Sequence, residues 1–336
     1  MARVLLLSTT PPGPGADEQL APLRALQQSA TCDRHGVHSL ADNPETADVI
    51  LFVEAYGAGW YFESVRRHPI TRRHREKCFL FCANTLVIPF LPGIYTGIDR
   101  RWTSRRTISG FYVGAPENEF ATCTPPHAEL PYLFSFVGST GNAAVRGVIA
   151  RLSHPRGLVL DSTADYARVL ERSMSPQERS DYHRRYAEIT QQSKFVLCPR
   201  GLSVSSIRLF ETMQMGRVPV ILSDDWGEPP GPLWEEFSVR VPEQDCARLP
   251  QILEAREHEA FEMGKRARQE WLQWFSEKSA FHTVAEWCLS LQEQRTVPER
   301  FARWPVYLQY LRPFHFRRAL GMKLRGARQA LRPGTR

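Results

Sequence analysis

The residues best suited to chemistry lie in FVLCPRGLSVSSIRLFETMQMGRVPVILSDDW, positions 195–226. An apolar run ends at Cys198-Pro199, and a short loop of Gly201 and serines follows. Residues 205–215 then read as a helix carrying Arg208 and Glu211. Strand, loop, helix and second strand within about thirty residues is the size of a βαβ unit. Ligands of such units sit beyond the carboxyl ends of the strands, where helix N-termini point. Gly201 would allow the tight turn, and Gly216 would stop the helix before RVPVIL begins the next strand. Ser205 and Ser206 fall where hydroxyls and free backbone N–H groups can hold an anion. An arginine fork beside them suits a diphosphate. A carboxylate one turn further along suits the vicinal hydroxyls of a ribose. The same spacing also describes a plain Arg208–Glu211 ion pair on a helix face, worth a few tenths of a kcal/mol. Spacing alone leaves both readings open.

Those residues need a scaffold, and the rest of the chain reads as one. RVLLLS (3–8), DVILFVE (48–54) and KCFLFC (77–82) are near-continuous apolar strands, with a helix at 18–30. Such runs suggest a parallel sheet covered on both faces. Residues 84–131, rich in Pro, Gly and Thr, read as irregular structure ending in a linker at CTPPHAELP. A second alternation follows: strand and Gly-Ser-Thr-Gly loop at 133–142, helix from 143, strand 157–161, Ser-capped helix 175–193, strands 195–198, 218–222 and 237–242, and helix over most of 245–292. The expected fold class is α/β, with two Rossmann-like domains facing a cleft: an N-terminal domain over 1–130, a second over 131–295, and a basic C-terminal helix or tail over 296–336.

Composition narrows the partners. The 336 residues are 42% hydrophobic and 24% charged, as in soluble globular proteins. Residues 300–336 hold ten Lys or Arg and no acid; taken from the overall +7, they leave −3 on the first 299 residues. The charge is therefore local, which argues against a nucleic-acid surface and for one anionic contact. The seven cysteines are odd in number and scattered, without a CxxC, and are expected reduced and structural. MARVLLLS is too short an apolar run for a signal peptide, and no stretch approaches the roughly 20 apolar residues of a membrane span. A cytoplasmic protein is the expectation. GLSVS lacks the second glycine of a nucleophile elbow, and no P-loop occurs.

The stretch CPRGLSVSSIRLFETMQMGRVPVILSDD closely resembles the sugar-donor signature of exostosin-type glycosyltransferases, in order and spacing alike. LFSFVGS (133–139) and PFLPGIYTGI (89–98) are weaker echoes. One departure stands out. Where the family commonly has a second glycine two residues after the first, this chain has Ser203. The resemblance implies a GT-B fold, with a nucleotide-sugar, mostly a UDP-sugar, on the C-terminal domain and the acceptor on the N-terminal one. It implies transfer with inversion and without a bound metal or other cofactor, in keeping with the lack of a D-x-D motif.

Carried over residue by residue, Arg200 and Arg208 become diphosphate contacts and Ser205 and Ser206 phosphate partners. Glu211 becomes a ribose or sugar contact. Asp224 and Asp225 touch the sugar or acceptor, or else cap a loop near Trp226. Gly138, Ser139 and Thr140 form a second anion loop or an ordinary turn. Inversion needs a general base on the acceptor hydroxyl. Glu54, at the end of DVILFVE, is the first candidate and Asp99 the second, with Tyr95, Arg100 and Arg101 lining the acceptor side. The tail from 312 to 336 interleaves arginines with apolar residues and suits an anionic membrane surface, hence a lipid-linked glycan acceptor, or packs across the body. The function expected is polysaccharide synthesis by an enzyme peripheral to the membrane. The alternative is an inactive nucleotide-sugar-binding scaffold of the same fold.

Overall fold

The apolar runs become strands buried on both faces. The computed structural model describes all residues except 14, 56–60, 84–87, 115–117, 125–128, 312, 314, 318, 319 and 322–336. Among the described residues there are two sheets, and every strand pair in them is parallel. The first comprises β1 (Arg3–Leu7), β2 (Ser39–Leu40), β3 (Val49–Glu54), β4 (Cys78–Cys82), β5 (Gly93–Tyr95) and β6 (Thr107–Ser109), in the order β2-β1-β3-β4-β5-β6. The second comprises β7 (Tyr132–Gly138), β8 (Gly157–Asp161), β9 (Ser193–Pro199), β10 (Val218–Leu222) and β11 (Val239–Arg240), in the order β11-β10-β9-β7-β8. This is the doubly wound α/β pattern twice over, the GT-B fold that the resemblance implies.

The order reverses between β1 and β3 in one sheet and between β7 and β9 in the other. Those two switch points are where a doubly wound sheet opens a crevice for ligands.

Three expectations need correction. Residues 84–131 are not wholly irregular, because β5 and β6 lie within them and extend the first sheet. Each is only three residues long, too short to show an apolar period. The last strand is likewise two residues, 239–240, rather than 237–242. The helix after the serines runs Ile207–Gln214, so Ser205 and Ser206 precede it. Elsewhere the predicted signals act as expected. Ser175 closes a capping box with Glu178, and Gly216 takes the left-handed conformation (φ 70°) that ends its helix.

The two halves share an apolar core. Phe111, just beyond β6, packs on Phe210, on Phe275 and on Trp287, with ring centroids 6.3, 5.0 and 5.8 Å away. The long helix Glu277–Glu293 lies back against helix Asp17–Thr31 and against β3 and β5. All seven cysteines are free. No described helix is long and apolar enough to cross a membrane. The expected membrane-facing tail falls almost wholly outside the described residues.

Candidate functional site

At the second switch point, one side chain joins three loop carbonyls. Helix Ala144–Ile149 begins shortly after β7 and turns Arg146 inward, where it is 4% exposed. Its Nε donates to Arg200 O (2.8 Å), one terminal nitrogen to Ser139 O (2.9 Å), and the other to Pro199 O (3.2 Å). The guanidinium therefore ties the loop after β7 to the loop after β9. Burial, and then the charge of Arg208 nearby, push its pKa down to about 10. No described carboxylate forms an ion pair with either arginine. Both lie against the Phe136 ring, each 5.7 Å from its centroid.

Arg208 leaves its helix toward the same point. Its Nε donates to Val137 O (2.7 Å), and its terminal N–H groups have no protein partner among the described residues. The guanidinium passes so close over Gly138 that a Cβ there would come within 2.5 Å of it. Gly138 is glycine for that approach. Gly201 has a similar role, against expectation: its backbone is not left-handed, and a Cβ there would stand 3.2 Å from an Arg146 terminal nitrogen. Ser203, in place of a second glycine, accepts from Ser205 N (3.4 Å), while its carbonyl accepts from Gly201 N (3.2 Å). The loop thus closes on its own hydroxyl.

Ser205 and Ser206 are 4% and 9% exposed, and neither Oγ has a hydrogen-bond partner among the described residues. Tyr112, its phenol pKa raised by burial against the pull of Ser205, lies beside that hydroxyl, although the pair falls short of good hydrogen-bond geometry. Ser206 occupies the N-cap position of its helix without using its side chain as a cap. Two buried hydroxyls left unpaired cost stability unless something meets them. Here they stand beside two arginines that lack counter-ions. An anion placed there would supply what the hydroxyls and the cations both lack.

Glu211 is not paired with Arg208. Its Oε2 accepts from the Tyr186 hydroxyl (2.8 Å), and Tyr186 also lies 6.0 Å from the Arg208 guanidinium. Burial raises the Glu211 pKa, against the pull of Tyr186 and Arg208. The helix ion pair left open by the spacing is therefore not formed.

The other residues singled out in the sequence fall into separate networks. Arg200 pairs with Glu243 (2.8 Å), whose backbone N–H donates to Asp224 Oδ1 (3.1 Å). Asp99 binds Arg101, which also reaches Asp225 (3.5 Å), and Arg100 N donates to Asp225 O (2.8 Å). An antiparallel bridge joins Asp99 to Trp226. These contacts strap the segment between β5 and β6 to the loop after β10. Tyr95 is buried and donates to Leu91 O (2.6 Å). Thr140 donates to Asp161 Oδ2 (2.8 Å), as an ordinary turn residue would. Glu54 is fully buried at the first switch point. It accepts from Thr9 N (2.7 Å), Thr9 Oγ1 (3.0 Å) and Ser8 Oγ (3.1 Å), and burial raises its pKa despite these bonds.

The model for the Exostosin GT47 domain matches residues 117–256, the span that holds this cluster. That span is similar to an exostosin GT47 domain. It is 29% identical over 132 residues to the exostosin-1 homolog of Caenorhabditis elegans (36% of this chain, 35% of that protein). It is 41% identical over 76 residues to a probable glucuronosyltransferase of Oryza sativa subsp. japonica (22% of this chain, 18% of that protein). The match thus spans about a third of the first relative's length and less than a fifth of the second's. Among solved structures, Anabaena Alr3699/HepE in complex with UDP aligns over 85% of this chain and 99% of its own, at 10% identity and a TM-score of 0.37. A glycosyltransferase from Rickettsia africae aligns over 87% and 97%, at 10% identity and a TM-score of 0.42.

Within residues 117–256, the sequence singled out Arg208, Ser205, Ser206, Gly138 and Gly201, which the fold brings together, and did not single out Arg146 and Tyr186, which lie against them. The signal for Arg146 was present: it is the one charge in AAVRGVI, a segment otherwise of small and apolar residues. Beside Glu211, a cavity of about 580 Å³ opens between the halves, lined among others by Arg24, Gln28, Tyr112, Asn118, Ile207 and Phe275.

Proposed function

We propose that this chain is an inverting glycosyltransferase. It moves a sugar from a nucleoside-diphosphate donor, a UDP-sugar, to a hydroxyl of a growing glycan. The single observation that carries the reading is the cluster of Arg146, Arg208, Ser205 and Ser206: one buried and one half-buried cation without counter-ions among the described residues, beside two buried hydroxyls without partners there. A diphosphate supplies the missing charge and the missing acceptors together. The exostosin domain match and the relatives' names support the reaction class.

In this reading the acceptor hydroxyl attacks the anomeric carbon as the bond to the diphosphate breaks on the opposite face. Negative charge then grows on the leaving phosphate. Arg208, with its free terminal N–H groups, and the two serines meet it directly. Arg146 acts through position and field, because its own N–H groups hold the loops. Removing one preorganised group of this kind costs about 100–1000-fold in rate. The cations take the part that a D-x-D-bound metal has in other transferases. Glu211 and the cavity beside it receive the ribose and base.

The proton of the acceptor hydroxyl goes to Glu54. Being buried, Glu54 reaches the acceptor through Ser8 or Thr9, whose hydroxyls donate to it and relay the proton. A raised pKa suits a group that must accept a proton. Asp99 is the second candidate, but its pairing with Arg101 favours the strap instead.

Near the C terminus, Phe301, Trp304, Leu308 and Leu311 are 54–74% exposed, next to Arg300 and Arg303. They continue into the basic tail and suit an anionic lipid surface that carries a lipid-linked glycan. Vesicles with anionic lipid should retain the full chain and release it when residues 312–336 are deleted.

The test of the reaction is release of nucleoside diphosphate from a panel of UDP-, GDP- and ADP-sugars, with and without glycan acceptors. Acceptor-dependent turnover of one donor, with the anomeric configuration reversed by NMR, supports the reading. Tight donor binding with no turnover on any acceptor would favour the inactive scaffold.

A further inference from the structure

Away from the sugar-donor site, three metal-ligating side chains meet where the loop before β2 touches helix Glu277–Glu293. The loop is CDRHGVH, residues 32–38. Gly36 takes a left-handed conformation (φ 61°), and Asp33 Oδ2 accepts from Gly36 N (2.9 Å). That turn lays both histidines on the helix. His35 stacks on His282 with centroids 3.9 Å apart and planes 11° from parallel. The His38 ring lies 5.1 Å from that of His282, and its Nε2 is 2.7 Å from Glu286 Oε1. The backbone fixes the register: Arg34 N donates to Lys278 O (3.0 Å), and Phe281 N to Ser29 Oγ (2.9 Å).

A histidine–glutamate pair alone would account for one contact, but not for what surrounds it. The His38 side chain is wholly buried. Its Nδ1, the Nδ1 of His282 and the Oδ1 of Asp33 are all buried without a hydrogen-bond partner among the described residues. Buried polar atoms of this kind are costly unless something meets them. One ring nitrogen of each histidine and a Glu286 oxygen lie within 4.8 Å of one another. Tetrahedral ligands at ~2.0–2.1 Å from zinc stand roughly 3.4 Å apart, so small side-chain rotations close the set. Arg34 Nε faces His35 Nε2 (3.4 Å), which leaves His35 as a stacking cover over His282 rather than a ligand.

We propose that His38, His282 and Glu286 bind a divalent transition-metal ion of the zinc class, with water completing its shell and Asp33 alongside. His282 and Glu286 stand one helical turn apart, while His38 comes from the other half of the molecule. The ion staples the rim of the first sheet to the long helix that returns from the second. It has no part in binding the sugar donor, so its fate and that of the transferase reading are separate.

The test uses the full chain, stripped by a chelator and titrated with Zn²⁺ alone by calorimetry, with the visible absorption of Co²⁺ as the report on coordination. Wild type should take up one equivalent and melt at a higher temperature with it. His282→Gln and Glu286→Gln should each bind at least 10-fold more weakly and lose the tetrahedral Co²⁺ bands. Glu286 is half exposed, so its variant keeps the fold if the other does not. No stoichiometric binding, or the same affinity in a folded Glu286→Gln chain, overturns the proposal and leaves an ordinary histidine cluster.

Discussion

The two sheets are wound alike, yet a single buried ion of opposite sign sits at each switch point. In the first sheet Glu54 ends β3 and gathers Ser8 and Thr9 from the loop after β1. In the second, Arg146 gathers the carbonyls of the loops after β7 and β9. Each does the same mechanical work, fixing two loops at the mouth of a crevice. Their chemistry differs. The anion draws hydroxyl and amide protons toward itself, whereas the cation leaves neighbouring hydroxyls and Arg208 short of negative charge. In the proposed reaction one crevice takes a proton and the other a phosphate. A shared topology provides the positions, and the sign of one residue at each gives the polarity.

The comparison breaks first at Glu54. Glu54→Gln keeps the shape and most hydrogen bonds, but removes the proton acceptor, so turnover should fall about 100–10,000-fold. Affinity for the nucleotide should not change. A stopped assay beside calorimetry checks both. An equal loss of binding would mean that the two crevices are not separate.

Arg146→Met should act on folding as well. It abandons three carbonyls to which a charged group donates, and each such bond contributes about 1.5–3 kcal/mol. Because the variant no longer buries a charge, part of that sum is offset, and a net loss of about 3 kcal/mol in urea unfolding, with nucleotide binding gone, is the expected outcome. Unchanged stability would show that the loops hold without it.

Gly138→Ala sharpens the picture at one atom. The new methyl meets the Arg208 guanidinium, so either the backbone shifts or Arg208 moves out of the cluster, at about 1–3 kcal/mol. Nucleotide affinity should fall with little change in the first sheet's crevice. Normal affinity would remove Arg208 from the site.

The smallest effect is a pH slope. Burial holds the folded Glu54 pKa above its ordinary value of 4.5. Folding therefore binds its proton more tightly, and this group's contribution is full below about 4.5 and is lost as pH rises through the raised value. Relative to Glu54→Gln, the wild type should lose stability over that climb. A parallel pair of curves would mean that Ser8 and Thr9 fully offset the burial.

Much of this was legible in the sequence. Long apolar strands, the Ser175 cap and Gly216 each carry a local signal that the fold obeys. The loop after β9 was legible because its residues are close together. What escaped is short or distant. β5 and β6 have three residues each and no period to read. Arg146 lies about fifty residues before the loop it supports, so only the fold brings them together. Gly201 was read as a turn residue, although its backbone is ordinary and its role is to admit Arg146. The apparent Arg208–Glu211 pair divides for a similar reason, since Val137 and Tyr186 claim the two ends from other elements.

The most direct measurement is calorimetry of UDP against wild type and Arg208→Ala, without added metal. The wild type should bind, and the variant should remain folded while losing about 1.5–3 kcal/mol of affinity, the range for hydrogen bonds to a charged group. Equal affinity in the two, or no UDP binding by the wild type, would contradict the assignment of this cluster to a nucleoside diphosphate.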